Sequence, residues 1–116
     1  MITKEFAEKF AQDWIGAWNS HDLNRILAHY RDEFVMSSPK IAAIAGEKSG
    51  TLFGKDKVAK YWAKALALFP KLHFQLIKIF VGSDSIVLYY QGVSGPVTEV
   101  FFFDSDGYVV KAAANY

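Results

Sequence analysis

Glu99 is the residue best placed to work as an acid or a base. It lies in the run Val97-Thr98-Glu99-Val100-Phe101-Phe102-Phe103, where a period of two puts Glu99, Phe101 and Phe103 on one face of a strand and Thr98, Val100 and Phe102 on the other. If the first face looks inward, the carboxyl sits among aromatic rings. Burial disfavours its charged form, so its pKa rises and it can serve as general acid, general base or ligand hook. If that face looks outward, Glu99 is a solvated carboxylate or the partner of a nearby lysine or arginine.

Other polar residues are weighed in the same way. Tyr30 and Tyr89 carry hydroxyls that need partners when buried and so suit the orientation of a ligand. Ser38 and Asn115 can add polar contacts at a pocket mouth, and Asp13, beside Trp14, reads as a rim or surface residue. The histidines at 21, 29 and 73 lack the H-x-x-x-H or H-x-E spacing of a metal centre, and no metal is expected. His21 suits a turn and His29 a helix end. His73, read as a strand residue, could form an acid–base couple with Glu99 across the sheet. Trp14, Trp18, Tyr30, Trp62, Phe69, Tyr89 and Phe101 are the aromatics expected around a cavity, the alternative for each being ordinary core packing. No nucleophile elbow, phosphate loop or dinucleotide fingerprint is present, so no cofactor is expected.

The elements that would position these residues follow from periodicity. Phe6, Phe10, Trp14 and Ala17/Trp18 recur at helical spacing from Thr3 to about Trp18, with Thr3 as a cap. Asn19-Ser20-His21-Asp22 breaks that pattern, and a short helix runs from Asp22 to His29 or Tyr30. Phe34 to Ser38 reads as a short strand stopped by Pro39. Residues 40–53 are read as a mobile flap, in which Ile41–Ala45 forms a short strand or one turn of helix and Gly46, Ser49 and Gly50 mark a loop. A further helix begins at Gly54-Lys55-Asp56, with Val58, Tyr61/Trp62, Ala65/Leu66 and Phe69 inside, and ends at Pro70. Four strands then follow on short turns as an antiparallel meander: Leu72–Val81, Ile86–Gln91, Val97–Phe103 and Tyr108–Asn115.

At 116 residues the chain has the length of one domain, spanning 1–116, with one core. Ten Phe, six Tyr and three Trp are a heavy aromatic load for a core of that size, which favours a cavity or interface lined by some of them. Thirteen basic against twelve acidic side chains, with both signs scattered along the chain, offer no basic stripe for nucleic acid. Cysteine is absent, which removes disulfides and thiolate chemistry. No apolar run approaches a membrane span, and the opening Met1-Ile2-Thr3-Lys4-Glu5 lacks the apolar core of a signal peptide, so a cytoplasmic location is expected.

Three stretches resemble a known superfamily. Trp14-Ile15-Gly16-Ala17-Trp18-Asn19-Ser20-His21-Asp22-Leu23 is similar to a long-helix exit into N-x-x-D-L. Tyr30-Arg31-Asp32-Glu33-Phe34 is similar to a Y-x-D-D lead into the first strand, and Gly54-Lys55-Asp56-Lys57-Val58 to a G-x-x-x-I/V helix start. In this order they resemble the nuclear transport factor 2-like superfamily, in particular its SnoaL-like branch. The resemblance implies an α+β, cone-shaped, cystatin-like fold with three N-terminal helices in the concave face of a curved, mostly antiparallel sheet. It also implies an apolar pocket at the open end and a homodimer through the outer sheet face.

The superfamily includes steroid isomerases, polyketide cyclases, dehydratases, epoxide hydrolases and non-enzymatic binders, so fold alone leaves activity open. In the steroid-isomerase pattern the base position falls on Ser38, the helix donor on Trp14, and the buried acid on Glu99. A serine cannot replace the carboxylate base, so that isomerisation is not expected. Two classes remain. One is a binder of a small apolar or carbonyl-containing molecule. The other is a cofactor-independent isomerase, cyclase or dehydratase, with Glu99 as acid or base and Tyr30 or Trp14 as donor.

Overall fold

The first helix, α1 (Lys4–Asn19), is capped by Thr3, whose hydroxyl accepts from the Phe6 amide at 3.1 Å. Its inner stripe is Ala7, Phe10, Ala11, Trp14, Ala17 and Trp18, as the helical period predicts. The structure, a computed structural model, describes residues 1–116. The elements after α1 are α2 (Leu23–Leu27), β1 (Tyr30–Ser37), α3 (Pro39–Ala45), β2 (Thr51–Phe53), α4 (Lys55–Leu68), β3 (Gln75–Val81), β4 (Ser85–Gln91), β5 (Pro96–Phe103) and β6 (Val109–Asn115). No helix is long and apolar enough to cross a membrane.

The strands form one sheet in the order β2-β1-β6-β5-β4-β3. All neighbours are antiparallel except β1 and β6. The last four strands are the expected meander, and β1 joins it at the β6 edge. One face of this curved sheet packs on the helices, and the core lies between: Trp14, Phe34, Phe101, Ile86 and Leu88 are fully buried there.

Three boundaries differ from the sequence reading. The first concerns Leu72 to Phe74, expected to open β3. The Asn19 side chain accepts from the Phe74 amide at 2.7 Å and donates to its carbonyl at 2.9 Å, and His21 Nε2 meets the Leu72 carbonyl at 2.8 Å. Backbone groups that would form a ladder are thus taken by the exit of α1, and the strand begins at Gln75. His21 itself has φ 57°, the left-handed conformation the tight exit requires.

The second difference is at Tyr30, which opens β1 beside Val109 and does not close a helix. The third is the segment 40–53, read as a flap, which contains a helix and a strand. Ser38 caps α3 by accepting from the Lys40 amide at 3.2 Å, Pro39 supplies a φ suited to the first helical turn, and Gly46 ends the helix at φ 75°. Proline here stops the strand, as expected, and starts a helix. The fold therefore has a fourth, short helix beyond the three anticipated.

Candidate functional site

Glu99 faces the helices. The strand β5 alternates as the sequence reading required, with Val97, Glu99, Phe101 and Phe103 buried and Thr98, Val100 and Phe102 more exposed. Only 5% of Glu99 is exposed, and its carboxyl accepts a hydrogen bond from the Tyr90 hydroxyl at 2.9 Å. Burial pushes the carboxyl up to about 7, against the smaller opposing effect of the Tyr90 hydrogen bond. Burial, and then the neighbouring Glu99 carboxylate, raise the Tyr90 phenol well above its ordinary value. Glu99 and Tyr90 are thus a buried acid and a phenol that stays protonated at physiological pH.

This pair borders a cavity of about 60 Å³ between the concave sheet face, α1, α3 and α4. Its walls are mainly aromatic: Trp14 and Trp18 from α1, Tyr61 and Trp62 from α4, and Phe74 and Tyr90 from the sheet side. Trp14 meets Tyr90 at a 5.3 Å centroid separation and Phe74 at 5.8 Å, while Trp18 meets Trp62 edge-on at 5.3 Å. The lining residues open to solvent are Val93 and Tyr116, with Lys40, Ile44 and Phe69 half-buried beside them, and these mark the mouth. At this volume the cavity has room for a few waters as it stands, well below the ~300 Å³ or more of a pocket for drug-sized ligands. A ligand must be small or must displace the rim.

Of the residues singled out from sequence, Glu99, Trp14, Trp18, Trp62 and Phe69 line this cavity. The others lie elsewhere. Tyr30 is buried behind Trp14, where its hydroxyl accepts from Trp14 Nε1 at 2.9 Å, which takes up the indole N–H. Phe101 is fully buried deeper along β5 against Phe10 and Trp14. Ser38 is buried as the cap of α3, with its hydroxyl 3.5 Å from that of Tyr116.

Tyr89 points to the opposite sheet face, since Leu88 and Tyr90 share the face of Glu99. Asn115 is exposed and donates to the Thr98 carbonyl at 3.4 Å, while its neighbour Ala114 turns inward. His73 is exposed, lies before β3 and is separated from β5 by β4, so it makes no pair with Glu99. His29 is half-buried with its ring edge-on to Phe10 at 5.4 Å, and burial lowers its pKa. Asp13 is exposed on α1.

Lys40, Tyr61, Tyr90 and Tyr116 were missed. For Tyr90 a signal existed. The hairpin that pairs Gln91 with Pro96 places even-numbered residues of β4 opposite odd-numbered residues of β5, so an inward Glu99 implies an inward Tyr90. Tyr61 lay on the stripe assigned to the core of its helix. Lys40 and Tyr116 carried no local signal, being brought to the mouth by the helical turn of α3 and the end of β6.

Residues 11–112 match the SnoaL-like domain. The chain belongs to the SnoaL-like family. A solved SnoaL-like protein of unknown function from Burkholderia thailandensis is 52% identical, with a TM-score of 0.95 over 99% of this chain and 97% of that one. A protein of unknown function with a cystatin-like fold from Methylobium petroleophilum is 17% identical, with a TM-score of 0.78 over 99% of this chain and 78% of that one. An NTF2-like protein of unknown function from Cytophaga hutchinsonii is 14% identical, with a TM-score of 0.72 over 99% and 90%. The last two establish likeness of fold alone. No curated protein matches the chain.

Proposed function

We propose that this SnoaL-like protein binds a small, mostly apolar organic molecule with a carbonyl oxygen, using the cavity beside Glu99. The observation that carries the reading is a carboxyl group only 5% exposed, bonded to Tyr90 and set in a largely apolar wall. A buried acid in that setting costs stability, and a ligand-facing role supplies a reason for it. Trp14, Trp18, Trp62 and Phe69 supply apolar contact, and Glu99 with Tyr90 fixes the polar end. Thermal shift with small ketones, aldehydes and esters is the test. A ligand at a hundredfold excess over its Kd stabilises by about 2.7 kcal/mol. No shift across the panel, or an equal shift in Glu99→Ala, contradicts the reading.

A second reading has its own support in the near-neutral Glu99 carboxyl. A group that titrates near 7 can both take and return a proton at physiological pH, which suits cofactor-independent proton transfer beside a carbonyl. Trp14 gives its N–H to the Tyr30 hydroxyl, and Tyr30 does not line the cavity, so the donor for this chemistry is Tyr90, whose O–H passes from Glu99 to the ligand oxygen. Wild type, but not Glu99→Gln, should then exchange deuterium from solvent into the position next to the carbonyl of a bound ketone.

The opposite sheet face suits a homodimer. Phe80, Val87, Val100 and Ala113 lie side by side across four strands, with Phe102 beside them. Sedimentation should give a dimer that Val100→Glu dissociates, and a wild-type monomer at high concentration refutes it.

A further inference from the structure

The charges are less evenly spread than the overall balance suggests. Between residues 40 and 71 seven lysines stand against Glu47 and Asp56 alone, and the rest of the chain is net acidic. That segment contains nearly all of α3 and the whole of α4, which line one side of the cavity. Lys57, Lys60 and Lys64 surround a groove on α4 next to Tyr61, a residue that also lines the cavity. Of the segment's other four lysines, Lys40 is itself part of the cavity lining.

Lys40 is half-buried, and its ammonium lies 4.4 Å from the ring centroid of Tyr116, another lining residue. No carboxylate lies within 4.0 Å of it, whereas Arg31 has two and Lys55 has one. A second polar group on the wall also lacks a partner. Trp18 is 5% exposed, and its indole N–H is the one buried side-chain polar atom in the molecule without a hydrogen-bond partner. The cavity therefore offers an unpaired cation at its rim and an unused donor in its aromatic wall. Its one acidic group, Glu99, is already bonded to Tyr90.

We propose that the ligand is an organic anion, a small carboxylate whose charged end faces Lys40 and whose apolar body lies among Trp18, Trp62 and Phe74. The inference rests on the small-molecule reading above and specifies its ligand. An anion at the inner wall would face Glu99 and disfavour the charge of both. At the rim it meets an ammonium that has no competing carboxylate, within the positive field of the α4 lysines. An acceptor oxygen on the ligand body would also answer the free Trp18 N–H.

Calorimetric titration of benzoate, phenylacetate and hexanoate, each against its primary amide, tests the assignment at low and moderate salt. The carboxylate should bind roughly tenfold more tightly than its amide, the order expected for one partly screened charge-assisted contact. Lys40→Met should bring the ratio to about one, Lys40→Arg should keep it, and Lys9→Met, which removes the same charge from the exposed side of α1, should leave it intact. Amides that bind as well as their acids, or a preference that survives Lys40→Met, overturn the anion assignment while leaving small-molecule binding standing. Failure of every acid and every amide to bind overturns both.

Discussion

The two halves of α1 meet the same sheet with different results. Toward its N-terminus, Phe10 packs edge-on against Phe101 at 5.0 Å, Phe103 at 4.9 Å and His29 at 5.4 Å, and Phe6 caps Phe103 at 5.3 Å. Toward its C-terminus, Trp14 and Trp18 face Tyr90, Phe74 and Trp62 across a space they do not fill. Every buried polar side chain at the first end is absent or paired. The other end holds Glu99, Tyr90 and the unpartnered Trp18 N–H. Aromatic residues thus serve as solid core at one end and as the wall of a cavity at the other, and the polar groups divide the two roles.

That contrast should appear as a gradient in stability. Phe10→Ala leaves a hole among rings that touch on several sides, and should lose about 3–5 kcal/mol in urea denaturation. A loss under 1 kcal/mol would mean that the closed end is as loose as the open one.

Glu99→Gln should act through pH. The unfolded chain releases this proton near 4.5 and the folded chain near 7, so between those values the folded state holds a proton that the unfolded state lacks. Stability from this group is therefore lost as pH rises from 4.5 to 7, and changes little above that. The loss amounts to roughly 3 kcal/mol, and it should disappear from the difference between pH 4 and pH 8 in Glu99→Gln. An unchanged pH profile would place the carboxyl in water.

Trp18→Phe should cost least, about 1 kcal/mol, because the indole N–H has no bond to lose and the lost ring borders space that is already empty. A cost like that of Phe10→Ala would erase the distinction between the two ends.

Much of this division was legible in the sequence. The two faces of β5 could be read from its alternation, but not which of them looks inward, because Val100 and Phe102 make the face opposite Glu99 apolar too; the helical stripe from Phe10 to Trp18 followed from spacing. The phase of β4 could not be read from composition, since Tyr89 and Tyr90 are adjacent and alike, and only the hairpin register separates them. The start of β3 was misread because apolar alternation at Leu72 and Phe74 resembles a strand. Side chains 51 and 55 residues away claim that backbone, which local pattern does not reveal. Segment 40–53 did carry helix signals in Ser38-Pro39 and Gly46, and a proline read only as a strand stop concealed them. The small cavity volume depends on how the rings interlock, for which the sequence has no signature.

Glu99 is the buried acid of the cavity, its carboxyl pushed up to about 7. Its side-chain carboxyl resonance, followed by carbon-13 NMR from pH 4 to 9, measures this directly. A midpoint near 7 is expected, rising further in Tyr90→Phe because the hydrogen bond that favours the carboxylate is gone. A midpoint near 4.5 that ignores Tyr90 would contradict it.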